Sequence, residues 1–401
     1  MTAEPGTSLL RARWLLPIIA PPIDGGWIEI ADGRIATLGR GSPPAPCRDL
    51  GDVALLPGLV NAHTHLELSW LAGRIPPAEG LVDWIRALMA ARRSGPQGGD
   101  AERGRAIRDA VADLEAAGTV LVGDVTNTLE SVPALRESAL AGVIFHELLG
   151  FRESDPAGRV DRAWSSSEPV PRFESSVVAH APYSVSPALF TAIARRRRST
   201  APLSVHLAES AAEIEFLQTG TGPFRDLLEE LDVWSEDWTP PGCDPAEYLD
   251  RLEYLQPGTI VVHGGHLTDD ALDRLRDRGG ALVTCPRSNT WVGAGLPRIA
   301  HAYAEGVRVA IGTDSLASVP TLSVFDELAE LRRIAPDLAA AKLLESATRV
   351  GAQVLGFGNE YGTLSPGKRA ALVAVDTPPG VTDVEEYLVS GVAAAAIRRV
   401  I

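Results

Sequence analysis

Between residues 53 and 355 the chain alternates short apolar, β-rich runs with longer amphipathic stretches. The runs are 54–61, 119–125, 142–149, 176–181, 203–207, 259–263, 281–285 and 307–312. Helical spacing marks 81–93, 102–117, 133–141, 187–198, 268–278 and 296–305 between them. Eight buried strands, each followed by a connection long enough for a helix, predict a parallel sheet with right-handed crossovers. Eight such repeats within about 300 residues predict an α/β fold, a (β/α)8 TIM barrel. The alternative is an open doubly wound sheet, but no GxGxxG follows the first run.

The ends of the chain carry a different period. Trp27-Ile28-Glu29-Ile30 alternates apolar and polar, Asp32-Gly33 marks a hairpin, and 34–39 returns. After a helix at 339–350 and a turn-rich link at 362–368, residues 370–376 and 386–391 read as strands. Residues 1–57 and 356–401 are therefore expected to build one composite β-sandwich, with the barrel spanning 58–355. The connection at 210–256 is long and carries Trp234, Trp238 and Tyr248. It reads either as a lid or substrate wall or as a surface insertion with its own small core.

Composition narrows the partners. The 401 residues are 45% hydrophobic and 22% charged, with a net charge of −15. That balance fits a globular protein and argues against nucleic acid or an anionic membrane as partner, since both need clustered cations. The one basic run, Arg195 to Arg198, reads as a solvated turn at a helix end. Cys47, Cys243 and Cys285 are scattered, with no CxxC, which suggests a reducing compartment. The apolar patch from Trp14 to Ala20 is broken by Pro17 and lacks a signal-peptide cleavage pattern. A cytoplasmic location is the expectation.

Candidate chemistry sits at the ends of the runs, where barrels carry their active sites. The first ends in His63-Thr64-His65, two imidazoles on one face of a strand. Later runs end in His180-Ala181-Pro182-Tyr183, His206-Leu207-Ala208-Glu209, His263-Gly264-Gly265-His266, Cys285-Pro286-Arg287-Ser288-Asn289 and Gly312-Thr313-Asp314. His63, His65, His206 and Asp314 make a ligand set for one divalent ion with a position left for water. Zinc comes first and iron second, since the same ligands suit both. Glu209 is placed for proton transfer, and His263 to stabilise attacking hydroxide or developing charge. Of His146 and Glu147, alternation lets only one face the barrel interior, and Glu147 is preferred. His266 and His301 read as solvent-facing.

The segments PGLVNAHTHLELS, HAPYSVS, VHLAES, VVHGGHLTDD, CPRSN and IGTDSLAS, in this order, resemble the amidohydrolase superfamily in its nucleoside- and aromatic-base-deaminase/chlorohydrolase branch. The resemblance covers essentially the whole length. It implies a mononuclear site with His63, His65, His206 and Asp314 as ligands, and Asp314 as general base on the water. It also implies His263 as the orienting partner, Glu209 as the proton shuttle, and allows a homodimer. Binuclear relatives bridge two metals with a carboxylated lysine from strand four, and no lysine lies between His65 and His206. The unrelated HxE…PCxxC deaminase signature is absent as well.

Glu67 and Ser69 after the histidine pair, together with CPRSN, resemble the 6-aminodeoxyfutalosine deaminases of menaquinone biosynthesis. The implied substrate is an adenine nucleoside carrying a benzoate, which loses its aromatic amine as ammonia. Glu67, Trp70, Glu147, His180, Tyr183, Arg287 and Asn289 are the candidate substrate-binding residues. Glu67 reads equally as a cap on the turn after strand one. Arg287 reads as a partner for the benzoate or as a salt bridge holding its own loop. Other deaminases of the branch (adenosine, S-adenosylhomocysteine, guanine) and triazine chlorohydrolases are the alternatives. A cyclic amide or amidine hydrolase and an inactive scaffold come after them.

Overall fold

A computed structural model describes residues 6–400. Its centre is a barrel of eight parallel strands: β1 Leu59–Thr64, β2 Thr119–Thr126, β3 Ala141–Leu148, β4 Phe173–Ala179, β5 Ser204–Leu207, β6 Ile260–His263, β7 Ala281–Thr284 and β8 Arg308–Ile311. β1 to β4 pair in sequence order, as do β5 to β8. The two halves join where it matters for the site. The N–H of His206 donates to the carbonyl of His180 at 2.8 Å, and those of Thr313 and Asp314 donate to the carbonyl of His63 at 3.0 and 3.1 Å. The Asn61 side chain reinforces the second seam, donating to Thr313 Oγ1 at 2.7 Å and accepting from Thr313 N at 3.1 Å.

The first apolar run is two strands rather than one. Val53–Pro57 pairs antiparallel with Leu372–Asp376, and the chain then turns at Gly58 into β1. A Cβ on Gly58 would lie 2.2 Å from Val120 Cγ1, so this close crossing requires glycine. Periodicity alone could not show the break, because both halves are completely buried.

Strands from both chain ends form one seven-stranded sheet in the order Ile397–Arg399, Leu372–Asp376, Val53–Pro57, Ser8–Leu15, Ile23–Ala31, Arg34–Arg40, with Arg48–Asp49 also on Ser8–Leu15. The sheet has its own core, including Leu10, Leu15, Ile28, Ile35, Leu55 and Leu372. The expected strand at 386–391 is instead the helix Val384–Val389. Asp383 caps it by accepting from Glu386 N at 2.9 Å, and Val384, Leu388 and Val389 join the core of the barrel. Spacing of i, i+4 and i+5 with a cap fits a helix better than the alternation assumed from the β-branched content. This segment therefore packs on the barrel's helices Val324–Ile334 and Ala340–Glu345.

The long 210–256 connection folds as helices Ala211–Thr219, Pro223–Glu230 and Pro245–Arg251. It has an aromatic centre, with Phe216 stacked on Trp238 at 4.6 Å and the Arg225 guanidinium 3.6 Å over Trp234. Among the described residues, no helix is long and apolar enough to cross a membrane.

Candidate active site

The C-terminal strand ends converge on one cavity of about 540 Å³. His65 Nε2 and His206 Nε2 face each other at 3.3 Å. The His63 ring stands edge-on to both, with centroids 4.8 and 5.0 Å away. Both His63 ring nitrogens are buried and have no hydrogen-bond partner among the described residues. Asp314 Oδ1 is 3.8 Å from His65 Nε2. A buried imidazole with two unpaired nitrogens is costly unless something else binds it. Three ring nitrogens within 4.8 Å of one another supply that explanation, because together they can hold a metal ion. Burial holds His63, His65 and His206 below the ordinary imidazole range, so they are neutral and available as ligands. The donor set thus fits a divalent ion.

The supporting contacts are specific. His206 Nδ1 lies 3.1 Å from the carbonyl of His180 and 3.4 Å from Glu147 Oε1, an outer partner that fixes the ring and leaves Nε2 free. Ser288 Oγ donates to Asp314 Oδ2 at 2.5 Å and Ser318 Oγ at 3.2 Å, so Oδ1 is the oxygen left for the site. A Cβ on Gly312 would come within 2.7 Å of His63 Cβ, which is why a glycine precedes Thr313-Asp314. Ala208, His263 and Asp314 all have positive φ, at 50°, 70° and 60°. Non-glycine residues in this region cost about 1 kcal/mol or more each and persist where neighbours over-determine them. Each strand end is bent here, and the bend turns the following or own side chain inward.

Glu209 is buried, and burial raises its carboxyl above the ordinary range, which favours the protonated acid. His263 Nε2 is 3.6 Å from Glu209 Oε1. His263 Nδ1 is 2.8 Å from Asn289 Oδ1, and Asn289 Nδ2 donates to the carbonyl of Gly295 at 2.9 Å. That amide orientation places a proton on His263 Nδ1 and turns Nε2 toward the cavity.

The other candidates divide. His180 and Tyr183 line the cavity, and burial drives His180 down to about 3. Tyr183 stacks on Phe224 at 3.8 Å. Glu147 lines it too, with burial raising its carboxyl to about 8 and Asn127 Nδ2 donating to it at 2.9 Å. Asn289 acts through His263 and does not line the cavity. Three expected substrate contacts are elsewhere. Glu67 Oε2 accepts from Thr126 Oγ1, Thr128 Oγ1 and the N–H groups of Asn127 and Thr128, between 2.6 and 3.1 Å. It is a clamp on the turn after β2, the cap alternative applied to a neighbouring turn. Arg287 is held by Glu327, Asp326 and Thr321, so the loop-holding reading applies to it. Trp70 is buried in an apolar cluster with Leu71 and Ile75, with Arg74 over its ring.

Sequence reasoning missed Arg92, Asn127 and the walls from helices Leu81–Ser94 and Pro223–Glu230, all of which line the cavity. It also missed Glu213, whose signal was an acid four residues after Glu209 at a helix start.

The sequence profile of the amidohydrolase family matches residues 54–398. The chain is 32% identical over 353 residues to an aminodeoxyfutalosine deaminase of Deinococcus radiodurans, covering 82% of this chain and 81% of the relative. It is 28% identical over 413 residues to a 5-methylthioadenosine/S-adenosylhomocysteine deaminase of Moorella thermoacetica, covering 96% and 90%. An adenosine deaminase from Xanthomonas campestris, solved with bound zinc, superposes with a TM-score of 0.80 at 25% identity, covering 97% and 90%.

Proposed function

We propose, for a chain that belongs to the amidohydrolase family, that this cavity hydrolyses the aromatic amine of an adenine-type nucleoside and releases ammonia. The protein is a hydrolytic C–N deaminase of a metal-dependent family. The substrate proposed is 6-aminodeoxyfutalosine, as the name of the Deinococcus relative suggests. The observation that carries the reading is the meeting of three neutral imidazoles and Asp314 with a buried Glu209 and His263 on the floor of an apolar cavity.

His63, His65, His206 and Asp314 would hold the ion, zinc by preference and iron as alternative; the Xanthomonas relative was solved with bound zinc. Such an ion supplies Lewis acidity and brings the pKa of a bound water toward neutrality. Asp314, steadied through Oδ2 by Ser288 and Ser318, takes the proton of the attacking water with Oδ1. His263 Nε2 accepts a hydrogen bond from the attacking O–H and so orients it. Glu209, whose burial favours the protonated acid, donates to the ring nitrogen beside the amine-bearing carbon, which makes that carbon electrophilic. The proton held by Asp314 then goes to the departing amine, and Glu209 regains a proton from the added hydroxyl as that group becomes the carbonyl of the product.

A second reading, deamination of 5′-methylthioadenosine or S-adenosylhomocysteine, is favoured by the Moorella relative. The test is ammonia release by purified, metal-loaded protein from 6-aminodeoxyfutalosine, 5′-methylthioadenosine, S-adenosylhomocysteine, adenosine, guanine and a triazine. Release from 6-aminodeoxyfutalosine at the highest kcat/KM is expected. Turnover of none of the aminated purines would overturn the reading.

A further inference from the structure

Resting on the deaminase reading above, we infer that the outer half of the cavity selects a nucleoside whose 5′ arm is apolar and ends in an anion, with Arg92 as the residue that reads it. The helix Leu81–Ser94 turns one stripe to the cavity: Leu81, Trp84, Ile85, Leu88 and Met89 all line it. Their spacing of i, i+3, i+4, i+7 and i+8 is that of a single helix face. The next position on that face, i+11, is Arg92, and it too lines the cavity. The last turn of a helix favours a cation through its dipole, and here that cation stands on the face turned to the cavity.

Arg93, the neighbouring residue, also lines the cavity, whereas the third arginine of this helix shows the contrast. Arg86 is fully engaged by Glu230 across the mouth, Nε to Oε2 at 3.0 Å and Nη2 to Oε1 at 2.8 Å. That pair ties the helix to the facing helix Pro223–Glu230, which presents Phe224, Leu227 and Leu228 to the same space. Among the described residues, Arg92 has only Glu67 Oε1 at 4.0 Å, beyond hydrogen-bond reach, and Glu67 spends its other oxygen on the turn after β2. Its guanidinium therefore keeps donors in a fork suited to a planar carboxylate. It lines the same cavity as His65, Glu147 and His180.

The acids lining the cavity are Glu147, Glu209 and Asp314, all at the floor. The outer part thus offers apolar walls and the cations Arg92 and Arg93, with no carboxylate among the lining residues there to receive an ammonium. An aryl or alkyl arm ending in a carboxylate matches both features. A neutral methylthio arm leaves Arg92 unpaired, and an amino-acid arm leaves its ammonium unpaired.

The experiment measures kcat/KM of the metal-loaded enzyme on 6-aminodeoxyfutalosine, its methyl ester and 5′-methylthioadenosine, for the native chain, Arg92→Gln and Arg92→Lys. The native chain should prefer the acid over the ester by ~10-fold or more, the size of one charge-assisted interaction. Arg92→Gln should lower the ratio of acid to 5′-methylthioadenosine by ~10-fold, mainly through KM, with Arg92→Lys recovering part of it. Equal rates on acid and ester, or an equal loss on every substrate in Arg92→Gln, would overturn the inference. Should the variants not fold, the acid-to-ester ratio of the native chain still decides. Ammonia from none of the three removes the deaminase reading and this inference with it. Ammonia without preference for the acid removes the inference alone.

Discussion

The two carboxylate oxygens of Glu213 accept the N–H of Ala208 at 2.9 Å and the N–H of Glu209 itself at 3.0 Å. One buried acid thus holds the backbone of another at the left-handed turn that aims Glu209 into the cavity. Glu213→Gln turns an NH2 group toward one of those N–H donors and leaves it unpaired, a cost of about 1–3 kcal/mol. We expect kcat to fall by ~10-fold or more with KM and metal content little changed, because a small misplacement of a proton donor is costly. Steady-state kinetics beside metal analysis check this, and full kcat in Glu213→Gln would show that Ala208 and Glu209 hold their turn unaided.

His206→Ala and Glu209→Gln should separate binding from chemistry. His206 Nε2 faces His65 Nε2, so His206→Ala should lose the metal and all turnover. Glu209 faces His263 and lies outside the imidazole cluster. Glu209→Gln should keep the metal and lose ~10²- to 10⁴-fold in kcat. Chelation should lower the thermal midpoint of the native chain and leave that of His206→Ala unchanged, since only the former binds an ion in the folded state. Near-normal turnover by Glu209→Gln would remove Glu209 from the shuttle role.

Glu67→Ala tests the clamp. It leaves two hydroxyls and two N–H groups of the turn after β2 without their acceptor. The expected loss of stability is about 2 kcal/mol or more, read from denaturant midpoints. An unchanged midpoint with only KM raised would return Glu67 to the substrate.

Stability should also carry a pH signature from Glu327. Burial raises this carboxyl to about 8, beside Arg287 Nη1 at 3.5 Å. A carboxyl raised in the fold contributes fully below its unfolded value, near the ordinary 4.5, and loses that contribution as pH rises through about 8. Glu327→Gln should therefore gain stability relative to the native chain between about pH 5 and 8. Denaturation at several pH values measures the difference, and a constant difference across that window would show that Glu327 is ionised throughout.

Much of this molecule follows from local rules. Short continuous apolar runs and long helical connections specify the barrel, because a fully buried strand and an amphipathic crossover helix have different sequence patterns. His63 and His65 share a strand face by the alternation of side chains along a strand, and the remaining candidate ligands stand at the ends of later runs. Other features depend on which turns meet. Glu67 reads as well for a substrate as for a cap until the Thr126–Thr128 turn is placed over it. Arg287 could reach inward or outward until Glu327 stands beside it. No local pattern sets Arg92 apart from the other arginines; its helix lying along the cavity does. The sequence by itself determined the barrel's periods and which residue types end each strand, because those patterns are local. Only the tertiary structure decided what each charge faces, since a buried charge is governed by partners that lie tens to hundreds of residues away.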